Sequence, residues 1–220
     1  TAVNTKCRSG RRTKTYPLTI LRKHVFIYNS LYIIVHSMPK RKAEQNLNKR
    51  INNEDRKRQK VWSRGTNKFT VHFDGTGIRS AVMRTIKDED TKYVVGCVAW
   101  FSNKKILAEL AKKRGVCVIV TRDKLTKSKS NQTAYKKLKP CYRGGPIRVV
   151  GAGRGKFKSL MHHKFLCGLD DNREPLWVMN GSFNMTQSAM TNLENLMVMH
   201  DPGIAKAYFE EFGRVAKIST

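Results

Sequence analysis

From residue 67 onward the apolar and polar positions fall into a run of strands and helices taken in turn. Phe69-Thr70-Val71-His72-Phe73 alternates and closes on Asp74-Gly75, the pattern of a strand running into a turn. Ile78, Ala81, Val82 and Ile86 share one helical face and predict a helix over residues 78–86. The unbroken apolar run at residues 93–101 predicts a buried strand. A helix over 104–114 follows, with Ser102 or Asn103 to cap it and Gly115 to stop it. Val116-Cys117-Val118-Ile119-Val120 is a second buried strand. Residues 124–145 are polar and basic, a surface loop or short helix. Further strands are expected at 147–150, 163–169, 175–179 and 196–199. A closing amphipathic helix over 202–218 carries Ile204, Tyr208, Phe212 and Val215 on its stripe. Strand and helix alternation of this kind predicts an α/β fold with a mixed, largely parallel central sheet flanked by helices. No internal repeat is present.

Residues 1–66 do not follow this pattern. An apolar run at 25–35 is too short to cross a bilayer, which takes about 20 residues, and reads as a packed strand. Residues 40–68 are rich in Lys, Arg, Asn and Gln with few aliphatic side chains, so they cannot build a core. The expected organisation is a basic N-terminal arm, 1–66, ahead of a folded domain, 67–220.

Charge changes the picture more than length does. Among 220 residues, 44 are Lys or Arg and 16 are Asp or Glu, a formal net charge of +28. Self-repulsion on this scale opposes compaction unless an anionic partner neutralises it. Nucleic acid fits first, because clustered cations release counterions from a phosphate backbone. The clusters are Lys40-Arg41-Lys42, Arg56-Lys57-Arg58, and Arg154, Lys156 and Lys158. An anionic membrane surface is the weaker fit. The five cysteines include no Cys-x-x-Cys pair and none stands at zinc-ligand spacing from a histidine. Cys97, Cys117 and Cys167 sit in apolar runs as reduced core thiols, the usage of an intracellular protein. Nuclear, mitochondrial and virion-associated settings all fit that usage.

The chemistry concentrates between residues 162 and 195. His162 and Lys164 are two apart on a predicted strand, so both point to one face and place an imidazole beside a fixed cation. Lys164 can hold a phosphate oxygen while His162 attacks phosphorus or passes a proton. Ser182 and Asn184, in Gly181-Ser182-Phe183-Asn184, fall where a strand ends and offer a hydroxyl and an amide to the same phosphate. Glu194 is placed to accept from the far nitrogen of His162 and fix its tautomer. Each residue alone also has an ordinary explanation: a chance His-x-Lys, helix-capping Ser and Asn, a surface Glu.

Together these residues resemble the signature of the phospholipase D superfamily: His-x-Lys, a following Asp, Gly-Ser-x-Asn, and then Asn-Leu-Glu-Asn at residues 192–195. The likeness extends to residues 106–120 and 201–212 and covers about 67–218. Asp170 stands one place later than the family's Asp, where Leu169 is found, so the strand bulges there or Asp170 does a different job. His163 would face away from the site.

The resemblance implies a phospholipase-D-like sandwich and catalytic residues His162, Lys164, Asp170, Ser182, Asn184 and Glu194. With one motif per chain, it looks like the short bacterial nucleases and the Zucchini-type endonucleases, in which a homodimer completes one site. It implies a phosphohistidine intermediate and no metal or other cofactor. With the charge, it implies an endonuclease acting on DNA or RNA. The rival readings are a non-catalytic nucleic-acid-binding or structural protein on the same fold, and a phospholipase D or cardiolipin hydrolase.

Overall fold

A computed structural model describes residues 60–64, 67–73, 75–151 and 160–220. The apolar run at 25–35 and the clusters Lys40-Arg41-Lys42, Arg56-Lys57-Arg58 and Arg154, Lys156 and Lys158 lie outside the described residues.

In chain order the described elements are β1 (Lys60–Arg64), β2 (Asn67–His72), α1 (Gly75–Lys87), β3 (Tyr93–Val98), α2 (Lys104–Leu110), β4 (Gly115–Thr121), α3 (Lys129–Tyr135), β5 (Ile147–Val150), β6 (Lys164–Leu169), β7 (Pro175–Gly181), a 3-10 turn (Ser188–Thr191), β8 (Leu196–His200) and α4 (Pro202–Ala216). The strands form one eight-stranded sheet in the order β1-β2-β8-β7-β6-β3-β4-β5. The first described strand, β1, therefore lies inside the segment that composition assigned to the arm. A five-residue strand with polar flanks at a sheet edge needs no aliphatic run of its own, which is why the pattern hides it.

The α/β class and the mixed sheet are as expected, but the sheet is not largely parallel. Among the described strands only β3-β4 and β4-β5 pair in parallel; their other pairings are antiparallel. Parallel neighbours need a crossover, and α2 and α3 supply the two that exist. The short β1–β2 and β6–β7 connections allow only hairpins. Helix α1 also connects two strands, yet β2 and β3 are separated in the sheet by β8, β7 and β6. A strand-helix-strand order in sequence does not by itself place those strands side by side.

Each central strand is buried on both faces, which explains its continuous apolar run. Val94, Val98, Val116, Val118 and Val120 face a core with Ile78, Val82 and Ile86 of α1 and Ile106, Leu107 and Leu110 of α2. Val95, Cys97, Cys117, Ile119, Phe165 and Cys167 face the other core, closed by Ala205, Phe212 and Val215 of α4. Trp177 is 1% exposed and its indole N–H donates to Thr91 Oγ1 at 2.8 Å. Truncating such a residue to Ala costs about 3–5 kcal/mol.

Two caps fix the helices that flank the site. Asn103 Oδ1 accepts from the backbone N–H groups of Lys105 and Ile106 at 3.1 and 3.3 Å, starting α2. Asp201 Oδ1 accepts from Ile204 N at 3.0 Å, with Pro202 in the first turn of α4.

Candidate active site

The carboxyl ends of parallel strands are where open α/β sheets gather ligands. Here the carboxyl ends of β3 and β4 share one edge of the sheet with the start of β6, the end of β7 and the start of β8.

His162 and His163 lie just before β6. The chain there is held by Ala99 N donating to His163 O at 2.8 Å and by Thr121 Oγ1 donating to Met161 O at 2.5 Å. Alternation then separates the two rings. The His162 ring meets the edge of Trp100 with centroids 5.5 Å apart. His163 turns to α4, where its Nε2 lies 3.0 Å from Glu211 Oε1. Arg214 holds the same carboxylate through two contacts of 2.7 Å.

Lys164 is buried, 7% exposed. Its Nζ donates to His162 O at 2.8 Å and sits 5.8 Å from the Trp100 ring centroid. Burial lowers the Lys164 pKa, and the Glu194 carboxylate works against that fall. The His162 pKa is also lowered, first by loss of solvent and then by the Lys164 ammonium. The outcome is an imidazole biased toward its neutral form beside a fixed cation.

Ser182, Glu194 and Asn195 form a closed network. Ser182 Oγ donates to Glu194 Oε2 at 2.5 Å and accepts from Asn195 N at 3.0 Å, while Ser182 N donates to Asn195 Oδ1 at 2.9 Å. Asn192 Nδ2 donates to the other Glu194 oxygen at 3.3 Å. Gly181 allows this closeness, because a Cβ there would collide with Asn195 O. Asn184 is half-buried, and its Oδ1 is buried without a hydrogen-bond partner. It borders a cavity of about 440 Å³ together with Trp100, Asp123, Leu125, Thr186, Ser188 and Asn192.

His162, Lys164, Ser182, Asn184 and Glu194 are thus brought to one edge. Two expectations need correction. Glu194 does not bond His162 within the chain; Ser182 and Asn192 take its carboxylate, because the loop after the 3-10 turn delivers it to the end of β7. Asp170 is not at this edge. It follows β6 at the far end, roughly 20 Å along the strand from Lys164. There Asp170 Oδ1 accepts from Glu174 N at 2.8 Å and closes the β6–β7 hairpin. The register shift between Gly168 and Leu169 is the bulge that the displaced Asp implied.

The sequence reading missed Trp100 and Asp123. Trp100 Nε1 donates to Asp123 Oδ2 at 2.5 Å, and Asp123 Oδ1 accepts from Thr126 N at 2.8 Å. This tie locks the indole against both His162 and Lys164. The available signal was position: both follow the ends of buried parallel strands.

A family model described as "Cardiolipin synthase, PLD-like domain" matches residues 83–216. The chain belongs to this phospholipase-D-like family. Among solved structures, the phospholipase-D-like chain is similar to NucT from Helicobacter pylori, with a TM-score of 0.54, 14% identity, and coverage of 70% of this chain and 98% of that one. It is also similar to Nuc, a phospholipase D family member from Salmonella typhimurium, with a TM-score of 0.51, 21% identity, and coverage of 70% and 97%. These likenesses show the fold of the phospholipase-D-like domain. An uncharacterized protein, L381, from Acanthamoeba polyphaga mimivirus is 26% identical over 164 residues, 58% of this chain. The match spans 59% of that relative's length.

Proposed function

We propose that this protein is a metal-independent phosphodiesterase, an endonuclease that cleaves DNA or RNA in a site completed by two copies of the chain. The observation that carries this reading is His162 held beside the buried Lys164 ammonium at the edge that also collects Ser182, Asn184 and Glu194. Family membership supports the reaction class, and the net charge of +28 supports a polyanionic substrate.

In this mechanism an imidazole nitrogen of His162 attacks phosphorus and the bond to the leaving oxygen breaks. The partner subunit's His162 gives that oxygen a proton. Water then attacks the phosphohistidine, losing its proton to the partner's His162, and the P–N bond breaks. Lys164 neutralises the charge growing on the phosphoryl oxygens and the Asn184 amide positions the group, while Ser182, tied to Glu194 and Asn195, fixes the loop that frames it. Glu194, which engages Ser182 and Asn192 within the chain, sets the orientation of the Ser182 hydroxyl. The lowered His162 pKa keeps the attacking ring unprotonated near neutrality, whereas its counterpart must carry a proton, so the two titrate as a coupled pair.

A rapidly quenched reaction tests this. Mass spectrometry is expected to find an acid-labile nucleotide adduct joined through a P–N bond, a phosphoramidate, on the peptide carrying His162. Cleavage that proceeds with no adduct at any stage contradicts the covalent route.

A further inference from the structure

The opposite edge of the sheet holds a second collection of cations. Lys68 of β2 and His200 of β8 are directly paired across the antiparallel ladder. Their side chains leave one face about 5 Å apart at Cβ, so the Lys68 ammonium opposes protonation of His200. Arg84 of α1 joins them, and Thr70 and Thr85 add hydroxyl groups around a cavity of about 260 Å³. Among the described residues, the charged groups facing His200 are Lys68, Arg84 and the carboxylate of Asp88 beyond the end of α1. His72, on the same face of β2, lies with Nε2 3.2 Å from Thr70 Oγ1. Among the described residues, neither Lys68 nor Arg84 forms an ion pair with a carboxylate.

Lys68 and Arg84 reach this concavity from solvent, whereas His200 is half-buried and Thr70 and Thr85 are buried, so the donors converge on one polar hollow. Two permanent cations and a protonatable ring surround a polar concavity, and one nearby carboxylate does not balance them. An oxyanion in the hollow accepts from Lys68, Arg84, a protonated His200 and the threonine hydroxyls, and favours the charged form of His200 that Lys68 opposes. Phosphate suits the donor set better than a carboxylate, because its oxygens spread over a tetrahedron and the donors arrive from two strands and a helix.

We infer that Lys68, Arg84, His200, Thr70 and Thr85 form a second phosphate-binding site, separate from the His162 edge. The site is independent of whether His162 is catalytic. Its occupant is a phosphate group, carried by a free small molecule or by a nucleic-acid chain whose other phosphates lie elsewhere on the protein.

The free protein has the His200 pKa lowered, chiefly by burial, with Lys68 adding to the fall and Asp88 opposing it. A bound phosphate must raise it. The test follows the His200 ring by NMR through a pH titration in inorganic phosphate and in chloride at equal ionic strength. Phosphate is expected to move the His200 titration upward relative to chloride. Arg84→Gln and Lys68→Gln are each expected to weaken phosphate binding roughly tenfold, the loss of one charge-assisted hydrogen bond. Both side chains lie at the surface of the cavity, so circular dichroism is expected to be unchanged. Identical titrations in the two salts, or wild-type phosphate affinity in Arg84→Gln, overturns the assignment. A short oligonucleotide added to His162→Ala protein then identifies the source. Displacement of phosphate from His200 marks a chain phosphate, and retention marks a free phosphorylated molecule; both outcomes uphold the site.

Discussion

Strand β8 joins two basic regions that handle their charge in opposite ways. At its start, the polar groups are tied to one another: Glu194 to Ser182 and Asn192, Asn195 to Ser182, Lys164 to the His162 carbonyl, Trp100 to Asp123. At its end, roughly 14 Å away, Lys68 and Arg84 stand beside His200 and, among the described residues, form no ion pair with a carboxylate. The first region has the character of a reaction site, with groups fixed before the substrate arrives, so little reorganisation accompanies the chemistry. The second has the character of a binding site, in which the ligand completes the electrostatics.

The largest expected contrast is between adjacent histidines. His162→Ala should remove cleavage by about 10⁴-fold, as loss of a nucleophile does, whereas His163→Ala should retain most activity because His163 is engaged by Glu211. Initial rates on a labelled oligonucleotide check this; comparable losses in both would place the chemistry on the wrong face. Next in size, Glu194→Gln should lower kcat by about 10²-fold with the fold intact, since an amide can still accept from Ser182 but no longer supplies a charge. An unchanged kcat would reduce Glu194 to a loop anchor.

Asp170→Ala should leave the rate alone and cost about 1 kcal/mol of stability, because Asp170 closes a hairpin remote from the site. Urea denaturation together with kinetics distinguishes this from a catalytic role, which would lower the rate. The smallest effect is one of pH. His162 and His200 are both held below the ordinary imidazole value of 6.5, mainly by burial. The unfolded chain therefore takes up protons first as pH falls. The stability these rings contribute is full above the unfolded value and is lost as pH drops through it toward the folded values. His200→Gln should flatten the fall in urea midpoint between about pH 7.5 and 5.5; a slope equal to that of wild type would remove His200 from the account.

Much of this was legible in the chain because burial writes itself into sequence. β3 and β4 are covered on both faces and read as unbroken apolar runs, and α4 is covered on one face and reads as a stripe. Cys97, Cys117 and Cys167 read as core thiols and are buried, and burial pushes Cys97 and Cys117 up to about 12. His162, Lys164, Ser182, Asn184 and Glu194 were legible through their spacing. What was not legible depends on long-range pairing. No local pattern states that β8, β7 and β6 intervene between β2 and β3, so parallel pairing was overestimated. Trp100 reads as one more apolar residue until Asp123, distant in sequence, is placed against it. The phosphate pocket is invisible for the same reason: Lys68 and His200 are far apart in the chain and become neighbours only through the β2–β8 register.

The central claim is that the His162 edge cleaves phosphodiesters of nucleic acid without a metal. The direct measurement is cleavage of labelled single- and double-stranded DNA and RNA in excess EDTA by wild type and by His162→Ala. The account predicts cleavage of at least one of these substrates by wild type and none by the variant. Equal cleavage by both, or tight binding with no cleavage by wild type, contradicts it.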